Sequence, residues 1–166
     1  MGEPQLLAEL ALSTRPTELP SWIDVTGYLR AIPSISRGRT SDLGPVEPGT
    51  CAVTLDNQDR RFDPSYTAGP YYGDLKPMRR VRLSALWQGE TYPLFTGYVD
   101  GWPTRFSAGD GWVDVQATDG FKVLGRYELN TSYPEQLSSE RIEAVLDTVG
   151  WTAGAAWILD SLTNSQ

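Results

Sequence analysis

Apolar and polar residues alternate with a period of two along much of this chain, and this pattern constrains the fold more than any other feature. In residues 50–55, Cys51, Val53 and Leu55 share one face and the residues between them the other. Successive side chains of a strand point to opposite faces, so this pattern predicts a half-buried β-strand. The same alternation recurs in residues 22–30, 79–87, 91–99 and 111–118. It predicts a mainly β fold.

The inward positions of these segments predict one apolar core. They are Val53, Leu55, Val81, Leu83, Phe95, Val99, Val113 and Val115. In residues 79–87 the alternation places Ala85 and Trp87 on the face of Leu83, and it places Arg80, Arg82 and Ser84 on the opposite, outer face. Cys51 is expected to act as a small buried hydrophobe.

The first strand and the turns are less strongly signalled. Residues 5–13 are compatible with a strand or a helical turn, and we favour a strand. The small and polar residues at 107–111 predict a hairpin turn before the strand at 111–118. Residues 36–40 are expected to form a short loop.

Near the C-terminus the apolar period changes from two to that of a helix. Ile142, Val145, Leu146 and Val149 form the apolar stripe of an amphipathic helix at about 138–149. Ser138 is the expected N-cap, Leu137 and Ile142 the expected hydrophobic staple, and Gly150 the expected C′ residue. We therefore predict a β domain over 1–129, followed over 130–166 by a linker, this helix and an apolar tail.

Composition excludes several kinds of catalytic and metal site. The chain has no histidine and one cysteine, which removes histidine-dependent triads, most zinc sites and an internal disulfide framework. With 14 basic and 21 acidic residues its net charge is −7, which disfavours tight binding to nucleic-acid phosphates. No apolar run is long enough for a transmembrane helix, and the N-terminal segment lacks a basic signal-peptide region. We expect a protein that is not an enzyme, needs no cofactor or metal and does not insert into membranes.

The densest polar run, residues 56–64, has two interpretations. As a calcium site it would use oxygens of Asp56, Asn57, Asp59 and Asp63, but it lacks the ligand spacing of an EF-hand and contains two arginines. As a structural turn, its Asp and Asn side chains would cap the backbone after the strand while Arg60 and Arg61 pair with carboxylates. We favour the structural interpretation.

Five stretches, read in order, resemble a known family. They are WIDVTGYLRAIPSISRGR (22–39), GTCAVTLDNQDRRFDP (49–64), YYGDLKPMRRVRL (71–83), YPLFTGYVDGWP (92–103) and SSERIEAVLDTVGWT (138–152). In order and spacing they resemble the N-terminal region of minor tail proteins of long-tailed, siphovirus-type actinobacteriophages, of the baseplate-hub or tail-tip family. The resemblance covers roughly residues 20–152, and proteins of this family are usually longer than this chain.

The resemblance implies a fold and a role. It implies an antiparallel β-barrel or split sandwich of the tail-tube or hub type, with a short C-terminal helix. Copies would form a ring, a trimer or hexamer, that continues the tail tube, and DNA would pass transiently through its channel. The implied neighbours are distal tail, tape measure, tail fibre and tip proteins. The chain would be made and assembled in the host cytoplasm and would end in the virion tail.

Two groups of residues are the expected contacts between subunits. The first group is basic and the second is apolar and follows the helix. They are Arg37, Arg39, Arg60, Arg61, Arg79 and Arg80, and then Trp151, Trp157 and Ile158. The alternatives are that the arginines only decorate a solvated face and that the apolar residues pack back on the β domain.

A carbohydrate-binding β-sandwich that recognises the host surface is the alternative function. Exposed aromatic rings can stack on sugars. The candidates are Trp22, Tyr71, Tyr72, Trp102 and Trp112. Packing in the core or in an interface is the favoured role for these rings. A cell-wall hydrolase is the weakest possibility, because it would need a catalytic carboxylate pair that the sequence does not reveal.

Overall fold

A computed structural model describes residues 3–16, 18–38, 47–126, 128–130 and 132–148. Within these residues, eight strands form one antiparallel sheet. They are β1 Gln5–Ala11, β2 Ile23–Asp24, β3 Ser34–Gly38, β4 Glu47–Asp56, β5 Arg80–Trp87, β6 Glu90–Gly101, β7 Thr104–Ser107 and β8 Asp110–Thr118. A 3-10 turn, Thr26–Tyr28, and two helices, α1 Phe121–Leu124 and α2 Ser138–Thr148, complete the described structure. The predicted mainly β fold is confirmed.

The sheet curls towards closure without becoming a closed barrel. Its strand order is β2-β1-β5-β6-β8-β4-β3, and β7 pairs with β8 off this path. The segment between β2 and β3 spans the gap between the two ends: β2 pairs with β1, and Leu29 then bridges to Leu55 of β4. The backbone N–H of Arg30 adds a hydrogen bond of 3.0 Å to the carbonyl of Thr54. The result is the split-barrel or sandwich architecture that the resemblance to tail proteins implies.

All eight predicted core positions are buried, together with Cys51. The register explains why they meet. Val53 lies opposite Val115 on the β4–β8 ladder, and Leu83 lies opposite Phe95 on the β5–β6 ladder. Side chains at paired positions of an antiparallel ladder lie on the same face. The inward residues of the strands therefore pack into one core.

Three positions of β5 differ from their predicted exposure. The alternation predicts Arg80 and Ser84 on the outer face, yet both are buried, Arg80 to 4% exposure. The prediction is wrong for Arg80 because its guanidinium donates to the carbonyl of Pro16, 64 residues away. Trp87 shares the face of Leu83 but is 42% exposed, because it lies at the hairpin turn where the core has ended.

The segment predicted as one strand over 22–30 is broken. Only Ile23 and Asp24 pair with β1. The Asp24 side chain then accepts the backbone N–H of Thr26 at 2.8 Å, and one 3-10 turn follows. Asp favours such local turns because its carboxylate competes for nearby backbone N–H groups. The expected loop at 36–40 is also partly wrong, since Ser36 pairs with Thr50 within β3.

Helix α2 begins at the predicted place but is capped differently. Ser138 is already helical, and the preceding Leu137 donates its backbone N–H to the Glu140 carboxylate at 3.0 Å, as in a capping box. Leu137 and Ile142 are both largely exposed, so the predicted staple does not form a buried contact. Val149 and Gly150 lie outside the described residues. The division at residue 129 stays a prediction.

Candidate interaction surfaces

The long connection between β4 and β5 is built from successive tight turns. Backbone N–H groups donate to the carbonyl three residues earlier at regular intervals, with distances of 2.9–3.1 Å. The pairs are Arg60 to Asn57, Asp63 to Arg60, Tyr66 to Asp63, Gly69 to Tyr66 and Tyr72 to Gly69. Because each turn satisfies its own backbone, the segment holds a defined shape without joining the sheet.

Phe62 anchors this connection in the core. It is fully buried, and its ring lies 5.7 Å from the rings of Tyr28 and Tyr71 and 6.5 Å from that of Trp102. Trp102 is stacked on Phe62 at an interplanar angle of 4° and donates its indole N–H to the carbonyl of Lys76. This aromatic group fixes both ends of the connection to the sheet. The alternation pattern gave no sign of it.

Arg60 and Arg61 are occupied by carboxylates of the same connection. Arg60 bonds to the nearly buried Asp63 at 2.7 Å, and Arg61 bonds to Asp59. The Arg61 hydrogen bond holds the pKa of Asp59 below its ordinary value, and Arg61 also bonds to the Tyr28 hydroxyl. The structural interpretation of residues 56–64 is confirmed. The calcium interpretation is disfavoured, since Asp59 and Asp63, two of its four candidate ligands, bind guanidinium groups.

Arg79 and Arg80 bind backbone carbonyls of their own chain. Arg79 is buried and donates to the carbonyls of Asp74 at 2.8 Å and Thr14 at 2.6 Å. Arg80 donates to the carbonyl of Pro16 from two of its nitrogens. The two side chains therefore tie the segment after β1 onto the sheet. They do not decorate a solvated face.

Arg37 is a predicted contact residue whose side chain is exposed and lies outside any described ion pair. It is exposed on β3, at the end of the strand order, and forms no ion pair within the described residues. The predictions for Arg39, Trp151, Trp157 and Ile158 fall outside the described residues. Contact with a neighbouring subunit stays a prediction for all nine.

Most of the aromatic residues considered for sugar binding have other roles. Tyr71 and Trp102 stack on Phe62. Arg82 lies 4.4 Å from the ring of Trp22, and Arg30 lies 5.6 Å from that of Trp112. Tyr72 is the member of this set that is more than half exposed. These contacts favour packing over a sugar-binding platform.

Charged side chains on β8 and its neighbours are largely neutralised in pairs. Arg105 bonds to Asp114 at 2.9 Å, and Arg30 bonds to Asp110 at 2.9 Å. The Arg30 hydrogen bond is the main cause that lowers the pKa of Asp110. Thr54 adds a hydrogen bond of 3.0 Å to Asp114. Paired charges of this kind leave little net field to attract a polyanion.

Exposed apolar side chains cluster at positions that the sequence pattern does not predict as contact residues. Trp87 is 42% and Tyr92 47% exposed at the end of the β5–β6 hairpin, and Phe121 is 53% exposed on α1. A signal for the first pair was present, because Gln88-Gly89 between a Trp and a Glu is a two-residue hairpin turn. The alternation pattern placed Trp87 on the core face and gave no measure of where the core ends.

The described helices include none that is both long and apolar enough to cross a bilayer. Among the described residues, no three His, Cys, Asp or Glu side chains are grouped as a metal site would require.

Comparison with known proteins gives a structural neighbour and no sequence relative. No protein-family model and no curated protein sequence matches the chain. In structure the chain is similar to the 43 kDa tail protein of prophage MuSo2 from Shewanella oneidensis, with a TM-score of 0.54 and 13% sequence identity. The similarity covers 90% of this chain and 40% of that protein, so the chain spans about two fifths of its neighbour's length. At this identity the likeness establishes a shared fold.

Proposed function

We propose that this chain is a structural protein of a bacteriophage tail and not an enzyme. The observation that carries the proposal is the fold it shares with a prophage tail protein over 90% of its length. The internal pairing of Arg60, Arg61, Arg79 and Arg80 adds support, because these charges hold the fold together. The exposed apolar residues on the hairpin and α1 are the kind of surface that marks protein–protein contact.

More specifically, we propose that copies form a ring at the tail tip, a trimer or hexamer, that continues the tail tube. The narrower resemblance to hub proteins of actinobacteriophages supports this placement, with distal tail, tape measure, fibre or tip proteins as neighbours. A net charge of −7 suits a ring through which DNA moves, since like charge keeps phosphates from adhering. Among the predicted arginines that the structure describes, Arg37 has no ion-pair partner and is best placed to meet an acidic neighbour.

Carbohydrate binding is not proposed, because the candidate aromatic rings are engaged. Four of the five rings stack in the core or lie beneath an arginine. A sugar platform needs ring faces open to the ligand. Glycan-array binding by the purified chain would revive this function.

Quantitative mass spectrometry of purified virions tests the proposed role. Particles of the phage or prophage that encodes the chain should contain it at a fixed ratio of a few copies per particle, as a ring requires. A variant phage without the gene should fail to make infectious tails, and the intact gene supplied in trans should restore them. A phage lacking a non-structural gene is the matched control and should keep the normal tail composition. Absence of the chain from washed, infectious particles would overturn the proposal.

A further inference from the structure

The end of the β5–β6 hairpin carries an apolar surface that the core does not use. Ala85 pairs with both Leu6 on β1 and Tyr92 on β6, and Trp87 pairs with Glu90. These positions continue the face on which Ala8, Leu83 and Phe95 are buried, yet Trp87 and Tyr92 are 42% and 47% exposed. We call Leu6, Ala85, Trp87 and Tyr92 the hairpin patch. Its residues are of the apolar types found in the core, but they lie outside the core.

The hairpin patch is held in shape by its turn. Gln88 and Gly89 both have positive φ, +52° and +87°, as a two-residue type I′ turn requires. Such a turn fixes the register of its two strands, so the rings of Trp87 and Tyr92 are presented on a defined backbone. A preorganised apolar surface loses little conformational freedom when it is covered.

The rim of the hairpin patch is acidic. Glu90 lies directly opposite Trp87, and Glu3 precedes Gln5, which pairs with Leu86. Both glutamates are exposed, and neither forms an ion pair with a described residue. A complementary surface should therefore offer an apolar group beside an unpaired cation.

Helix α1 offers such a surface. Phe121 is 53% exposed, and Arg126, one turn further along the chain, is exposed with no ion pair among the described residues. Lys122 between them bonds to Asp100. Burial is the main cause that lowers the pKa of Lys122, and the positive charge of Arg126 lowers it further. The second effect is expected if the two cations lie close together. Phe121 and Arg126 form what we call the α1 surface.

The two surfaces lie apart within one molecule. Lys122 fastens α1 to Asp100 near the end of β6, whereas Glu90 begins that strand. Ten residues of extended chain span about 33 Å. A match between the surfaces therefore requires two molecules.

We propose that the hairpin patch of one copy docks on the α1 surface of a second copy, with Trp87 and Tyr92 against Phe121 and Glu90 paired with Arg126. Because the surfaces differ, the contact is head-to-tail, the type that closes into a ring or grows into a filament. This contact deepens the proposed function and rests on it for its role in a tail. The contact itself can be tested on the purified full-length protein, without virions.

A charge swap in the full-length chain tests the contact by sedimentation equilibrium. Glu90→Arg and Arg126→Glu should each weaken self-association at least tenfold, and the double variant should restore it to within about threefold of the original. Glu143→Arg, on the exposed side of α2, is the matched control and should change nothing. The melting temperature of each variant, recorded in parallel, reports whether it is folded. A chain that stays monomeric at all concentrations, or a double variant that fails to recover, would overturn the proposal.

Isotope-coded photo-crosslinking distinguishes a second copy from other occupants. Benzoylphenylalanine at position 92, in an equal mixture of light and 15N-labelled chains, should yield light–heavy crosslinks to the peptide that contains Phe121. Crosslinks confined to one chain, for example to residues 149–166, would overturn the proposal. A chain that forms the intermolecular crosslink but is absent from virions would support the contact and contradict the tail role.

Discussion

The side-chain oxygen of Asn57 accepts the backbone N–H of Phe62 at 2.8 Å, and both residues are fully buried. The bond joins the end of β4 to the ring that anchors the following connection. The Asn57 backbone N–H in turn donates to the carbonyl of Gly111 at 2.9 Å, across to β8. Through its side-chain oxygen and its backbone N–H, Asn57 thus holds a turn, a strand end and the aromatic group in register.

Asn57→Ala should therefore destabilise the fold by about 1–3 kcal/mol, because the Phe62 N–H would be buried without an acceptor. Chemical denaturation of the full-length protein measures the change. Asn130→Ala removes an exposed amide and should leave the free energy of unfolding nearly unchanged. Equal stability of the two variants would mean that the Asn57 bond contributes nothing.

Two glycines on β6 should differ in their tolerance of an added methyl group. A Cβ at Gly97 would lie 2.5 Å from the carbonyl oxygen of Thr118 and 2.8 Å from the Phe95 ring, whereas one at Gly101 meets nothing within 4 Å. Gly97→Ala should cost about 1–3 kcal/mol as overpacking. Gly101→Ala should be close to neutral. Thermal unfolding of both variants tests this, and a neutral Gly97→Ala would show that β6 and β8 can separate at little cost.

Leu83→Ala should cost about 2–5 kcal/mol, because Leu83 is fully buried opposite Ala8 and Phe95. Leu19→Ala is the control at an exposed position and should change stability little. Urea unfolding of the two variants gives the comparison. A small loss for Leu83→Ala would place that side chain outside the cooperative core.

Acid should weaken the fold partly through Asp59. Its hydrogen bond from Arg61 lowers its pKa in the folded state, so Asp59 contributes stability above its unfolded pKa of about 4. That contribution is lost as the pH falls through the lower, folded value. Asp59→Asn should make the decline of stability below about pH 4 shallower.

Arg61→Gln should flatten the same decline, and the double variant should add little to either single one, because both act on one pair. Unfolding free energies between pH 6 and the acid transition, measured by denaturant titration, test this. An unchanged slope in Asp59→Asn would contradict the linkage.

The strands and their inward positions could be predicted from the sequence, because a period of two reports directly which side of a strand is apolar. It could not report contacts between distant segments. The burial of Arg80 depends on the carbonyl of Pro16, and the broken strand at 22–30 depends on the Asp24 turn and on Ala8, whose backbone N–H bonds to the Thr26 hydroxyl.

The candidate surfaces were harder to predict for a related reason. Arg60 and Arg61 are predicted both to pair with carboxylates and to contact neighbouring subunits; the pairing with Asp63 and Asp59 is confirmed, and contact with a neighbour stays a prediction. The turns that bring these carboxylates to the arginines are set by backbone hydrogen bonds, which the alternation pattern does not report. The alternation pattern predicts Trp87 as a core residue. It identifies the apolar face of a strand but not the residue at which the core stops covering that face. The exposure of Trp87 depends on how far β5 and β6 extend beyond the strands that flank them.

A cryo-electron microscopy reconstruction of the tail tip of the encoding phage tests most directly whether this chain is a ring subunit of the tail. The density should contain the eight-stranded sheet in symmetric copies around the channel, with each hairpin patch against the α1 surface of the next copy. A tail tip resolved to side-chain detail in which no ring of this fold surrounds the channel would contradict the proposed role.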